Sequence, residues 1–299
     1  MNKIIRFYNQ NKYLVWIVIL VIIATIAIIQ ILNTFAENKK IDRNNASNEI
    51  LGDIKINSNY SVITGQEVNQ NLKEIIDEFI NLCNNKQINN AYEIISDECK
   101  KVLYPTLEDF TTNYYNKIFN SKKTYLCQSW ITKNDSYTFK IDFVQDMLAT
   151  GTPSKTSITD YYTIINENGG YKLNINKFVG MENLDVSKTY NNIAINIKSK
   201  EIYMNYEIYD IEVINNTQNT VILGDLQDTD NIYIEDEDKK QYLWYSHEIL
   251  EENITISRGI KKGISIKFNK PYQADSEATK IVFTNVVEGK EIKNIEIEI

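Results

Sequence analysis

The sequence holds one histidine, His247, in the run Trp244-Tyr245-Ser246-His247-Glu248. Imidazole is the commonest general base and a frequent metal ligand, so a single copy narrows both chemistries sharply. A Ser-His-Asp or Cys-His arrangement would have to recruit it, and every cysteine lies far away in sequence. We expect a surface or half-buried loop histidine instead. Cys83, Cys99 and Cys127 are odd in number and widely spaced, without the close pairs that zinc sites use. One disulfide with a free thiol, and three reduced thiols, both remain open. The phosphate-cradling patterns GxxxxGK[ST] and GxGxxG and the zinc pattern HExxH are absent. Asp225, Asp228, Asp230 and the acids at 235–238 invite calcium, yet an EF-hand starting at Asp228 would place Ile232 and Tyr233 where it needs an oxygen ligand and a glycine. A solvated acidic turn is expected, with a weak calcium site between loops as the alternative. No catalytic residue, cofactor or metal ligand is assigned.

Aromatic residues carry the stronger signal. Trp244 and Tyr245 are adjacent on an expected strand, and neighbouring strand residues point to opposite faces. They cannot both enter one core, so the pair is the candidate partner contact.

The elements that position these residues follow from periodicity. Val68, Leu72, Ile75, Ile76, Phe79, Ile80 and Cys83 recur at helical spacing and predict a helix over 67–85. A second helix is expected over 89–95. A third begins near Thr106, which can cap it with Asp109 three residues on. The period then drops to two. Leu126, Gln128 and Trp130 share a face, Tyr137, Phe139, Ile141 and Phe143 alternate with polar residues, and strands follow at 158–166 and 171–179, joined at Gly169-Gly170. Asp142 falls on the polar face, while Asp160, Tyr161 and Tyr162 are the remaining strand residues with chemical potential. From Asp185 the pattern is strand only, with seven to nine short β runs and turn signals at 215–216, 235–240, 258–259 and 288–289. The expected fold class is α+β: three helices on a curved antiparallel sheet, then an all-β sandwich.

The first 36 residues read differently. Leu14 to Leu32 form a nineteen-residue apolar run, which at ~1.5 Å per residue approaches a bilayer core of ~30 Å. The run exceeds the usual signal-peptide core, so an uncleaved single-pass anchor is favoured over a cleaved signal. Lys and Arg tie in number on its two sides, and the short N-terminal tail favours a cytoplasmic N terminus with the remainder exported. All 40 acids and 29 of the 32 bases follow Phe35, a net charge of −11, which disfavours nucleic acid and anionic headgroups as partners. The resulting organisation is a tail at 1–12, a transmembrane helix at 13–35, a polar linker at 36–66, an α+β domain at 67–184 and a β-sandwich at 185–299.

The stretch from Asn89-Asn90-Ala91-Tyr92 through Leu107-Glu108-Asp109-Phe110 and the four strands after it resembles the nuclear-transport-factor-two-like, or cystatin-like cone, superfamily of bacterial envelope proteins. Ala91 and Tyr92 match the helix that packs on the sheet in that fold. Ile254 to Phe268, with its turn glycine and alternating strand, resembles the late hairpin of immunoglobulin-like modules on bacterial surfaces. An anchor followed by a cone domain is similar to assembly components of type IV secretion and Gram-positive conjugation machines, which implies a scaffold without catalytic residues. The β-sandwich departs from the conjugation pattern. The expected role is therefore a non-catalytic, membrane-anchored extracytoplasmic binding or scaffold protein with envelope proteins as partners. The alternative is an extracytoplasmic sensor that holds a small ligand in the cone pocket; some cone relatives are enzymes using Asp with Tyr or His.

Overall fold

Leu72, Ile76, Phe79, Ile80 and Cys83 lie on one stripe of α1 (Gln70–Asn84) and are all buried. The computed structural model describes residues 70–145 and 158–299, all within one compact unit, Tyr60–Ile299. The expected tail, transmembrane helix and linker lie outside the described residues. Among the described residues, no helix is long and apolar enough to cross a membrane.

After α1 come α2 (Ile88–Ile94), α3 (Asp97–Leu103) and α4 (Leu107–Phe110), then a π turn at Thr111–Tyr115 and α5 (Asn116–Ile118). The expected start at Thr106 is found with its full capping box, Thr106 and Asp109 exchanging side-chain and backbone hydrogen bonds. Helix α3 was not expected. Ser96 caps it by accepting from the Cys99 N–H at 2.9 Å, and Asp97 and Glu98 occupy the positive first turn.

The helices cover one face of a four-stranded antiparallel sheet in the order β1 (Lys123–Lys133), β2 (Ser136–Gln145), β3 (Ile158–Glu167) and β4 (Gly170–Asn174). Phe139, Ile141, Phe143, Tyr162 and Ile164 meet the helices from that sheet. Aromatic rings fill the layer: Phe79 lies edge-on to Tyr162 at 5.6 Å, and Phe110 stacks on Tyr114 at 5.8 Å. The β3–β4 turn is centred on Asn168 and Gly169, both at positive φ, one residue earlier than expected. The strand expected over 171–179 breaks at Asn176 and Lys177, where φ is 58° and 64°.

There the chain enters the long hairpin of β5 (Phe178–Tyr190) and β6 (Ile193–Tyr203). With β7 (Glu207–Asn215) and β12 (Lys261–Phe268) these form a second sheet in the order β12-β7-β6-β5. A third sheet holds β8 (Val221–Ile222), β9 (Ile232–Asp236), β10 (Gln241–Leu243), β11 (Thr255–Ile256), β13 (Ala278–Glu288) and β14 (Glu291–Glu298). Their facing apolar residues make one core, from Ile195 and Tyr209 on one sheet to Ile234 and Phe283 on the other. The overall class is α+β with antiparallel sheets. The expected border at 184/185 falls inside β5, beside a bulge at Asp185, whose φ is 48°.

The acids at 225–230 form turns. Asp225 accepts from Gln227 N–H at 2.8 Å and Asp228 from Asp230 N–H at 3.0 Å, while Asn231 donates to the Asp225 and Asp228 carbonyls at 2.6 Å. Gly224 lies so close that an added Cβ would sit 2.6 Å from Asn231 Oδ1. Gly224→Ala is therefore expected to lower stability by about 1–3 kcal/mol in urea unfolding. Gly263→Ala, with nothing within 4 Å of the new carbon, should stay within about 0.5 kcal/mol.

Candidate functional site

Lysine and glutamate normally stay at the surface, so their burial marks a place where charges have been organised. Lys270, in the loop between β12 and β13, is 2% exposed and pairs at 3.0 Å with Glu207 of β7, itself 4% exposed. The other Glu207 oxygen accepts from Tyr209 at 2.8 Å, and Lys270 also donates to the Ser276 carbonyl at 2.8 Å. Lys200 of β6, 6% exposed, reaches Glu182 of β5 at 2.8 Å. Lys133, at the end of β1, reaches Glu277 of the same loop at 2.6 Å. These three pairs surround a cavity of about 140 Å³ where the helix-covered sheet meets the β-sandwich. Val179, Ile202, Met204 and Tyr272 pack together beside it, against Ile131 and Tyr161.

A more open cleft of about 500 Å³ lies on the other side of the loop, between Ile131 and the β9–β10 turn. Asp236 there accepts from the Tyr242 hydroxyl at 2.9 Å and the Ser276 hydroxyl at 3.0 Å. Burial pushes its carboxyl up, but these hydroxyls and the N–H groups of Asp238 and Lys240 outweigh burial and hold it below the usual range. This acid belongs to the turn.

Inside the helix-covered layer, Asp160 of β3 is 3% exposed, on the same face as Tyr162. One oxygen accepts from the Tyr161 N–H at 2.7 Å; the other accepts from the Tyr114 hydroxyl at 2.8 Å and the Asn176 N–H at 3.2 Å. Tyr114 and Tyr162 share a hydroxyl hydrogen bond of 2.7 Å. Burial raises the Asp160 carboxyl above its ordinary value, against these donors. Tyr161 points away from this face and meets Trp130 at 5.7 Å. Asp142 pairs with Lys140 at 3.0 Å on that outer face, as expected.

No family model, curated protein or solved structure matches this chain. His247 is exposed on the one-turn helix Ser246–Glu248. The three cysteines are free thiols, and burial pushes Cys99 and Cys127 up to about 12 and Cys83 higher still. Such thiols hold little thiolate at neutral pH. Among the described residues, no group of three His, Cys, Asp or Glu is placed to hold a metal ion.

The expected contact pair divides. Trp244 is buried in the sandwich core and pairs with Phe268 of β12 through an isolated bridge. Tyr245 turns the other way and lies over the Lys267 ammonium at 4.5 Å, with Tyr206 on that ammonium at 4.2 Å and Glu248 at 3.1 Å. Nothing local in the sequence marks the buried lysines: Lys200, in an alternating strand, reads as part of its solvent face, and Lys270 falls in a loop, where lysine is ordinarily exposed.

Two outcomes follow from this geometry. Asp160→Ala leaves the Tyr161 and Asn176 N–H groups without their acceptor and should cost about 2–4 kcal/mol in chemical denaturation. Glu277 is held below the usual glutamate range by its hydrogen bond from Lys133, then by the charges of Lys133, Lys200 and Lys270. A depressed acid contributes stability above its unfolded value, about 4.3, and loses it as pH falls through the lowered folded value. Hydrogen exchange in residues 269–277 should therefore rise below about pH 4, and Glu277→Gln should raise it already at pH 7.

Proposed function

We propose that this chain is a non-catalytic, membrane-anchored binding or scaffold protein of a bacterial envelope assembly, in the manner of secretion or conjugation components. In this reading the run at 14–32 anchors it, the helix-covered sheet is a cone-fold module, and the sandwich is an immunoglobulin-like module, both outside the cytoplasm. The observation that carries the proposal is the filled interior of the helix-covered layer. Phe79, Phe110, Tyr114, Phe143 and Tyr162 occupy the space where a cone pocket would open, and the Asp160 carboxylate is committed to backbone and tyrosine donors. A buried acid so engaged supports the fold and has no open approach for a substrate. Aromatic residues with one polar end are favoured at protein contacts, and Tyr245, half-buried beside Tyr206, Lys267 and exposed His247, is the residue we assign to a partner.

A small-ligand sensor is the second reading, and the cavity ringed by Lys133, Lys200 and Lys270 favours it over a cone pocket.

The first reading is tested with the full chain in its native membrane. Alkaline phosphatase fused after Ile299 should be active, and a cytoplasmic reporter at the same position silent. Defined envelope proteins should co-purify with the chain, and Tyr245→Ala should reduce their recovery about tenfold or more, as for the loss of a central aromatic contact. Tyr171→Ala, on an exposed strand position, should leave recovery unchanged. A chain recovered alone, or equal recovery from both variants, contradicts the assignment.

A further inference from the structure

The cavity at the junction is polarised from floor to mouth. Its buried floor carries Lys270 and Lys200. Lys270 is satisfied by Glu207 and the Ser276 carbonyl, and Glu207 by Lys270 and Tyr209. Lys200 is different. Its ammonium has three N–H donors, and its one protein partner among the described residues is Glu182. A nearly buried ammonium with donors to spare favours an anionic oxygen beside it. At the mouth the balance reverses. Glu182 and Glu277 are each 49% exposed, and each uses one oxygen on a lysine, leaving the second oxygen open.

We propose that this cavity binds a small zwitterion of the free α-amino acid class, its carboxylate on Lys200 and its ammonium toward the second oxygens of Glu182 and Glu277. Three lysines and three glutamates line the space, so a ligand with both charges adds no net charge to it, whereas a lone anion or cation would. The volume of about 140 Å³ is close to that of a cavity holding one benzene ring, which suits a ligand of about six heavy atoms. Val179, Ile202 and Tyr272 offer an apolar wall for a short side chain. The site is separate from Tyr245 and is independent of any envelope partner.

Calorimetric titration of the full chain with glycine, L-alanine, acetate and methylammonium tests this. Glycine or L-alanine should bind saturably with one site per chain, and acetate and methylammonium should each bind at least about tenfold more weakly, having lost one charged contact. Lys200→Met should weaken amino-acid binding by about ten- to hundredfold. If that variant does not fold, Glu182→Gln, altered at the half-exposed mouth, should weaken binding in the same direction. Absence of saturable binding by either amino acid at millimolar concentration overturns the proposal. So does equal binding of acetate, or unchanged binding in a folded Lys200→Met or Glu182→Gln variant.

Discussion

Burying the Asp160 carboxylate removes it from water at a cost that is offset only while donors from two directions stay aimed at it. Tyr114 reaches it from the π turn after α4, and Asn176 from the turn that leaves β4. That second turn is an unfavourable stretch of backbone, with two successive non-glycine residues at positive φ. The carboxylate thus fixes where the chain departs from the first sheet. Everything beyond it, beginning with β5, inherits its direction from that point.

The next constraint is the charged junction. Pairing Glu207 with Lys270 out of water is weak evidence for added stability, since desolvation offsets most of the attraction. Its value lies in geometry. A buried charge tolerates few positions for its partner, so the pair fixes the path of the β12–β13 loop over β7. From there Tyr272 packs beside Val179 and Ile202, and Glu277 meets Lys133. Removing either member of the buried pair would leave the other charge without compensation, which costs far more than the pair contributes.

Much of the local structure was legible in sequence, because local rules determined it. The Thr106–Asp109 cap, the helical stripe from Leu72 to Cys83 and the alternation of Phe139, Ile141 and Phe143 all survive in the fold. Helix α3 was missed although Ser96, Asp97 and Glu98 form a start signal, since four of its seven residues are charged and only Cys99, Val102 and Leu103 are left to mark an apolar face. Asp160 shares its face with Tyr162 and Ile164, a parity that would have placed it inside. For Lys200 and Lys270 there was no such signal. Glu182 lies directly opposite Lys200 in the β5–β6 hairpin, and Glu207 on β7 meets Lys270 from a distant loop, but only the tertiary arrangement shuts the two lysines off from water. Trp244 and Tyr245 were read as facing opposite ways, but which one enters the core is decided by the bridge to Phe268.

The hairpin of β5 and β6 has its base in one core and its tip in the other. Phe178 and Tyr203 belong to the aromatic core under the helices, whereas Ile193, Ile195 and Ile197 belong to the sandwich. A recombination point at the apparent border near residue 184 would sever a strand that both cores need. Exchange of either half for an unrelated one would therefore require a rebuilt hairpin.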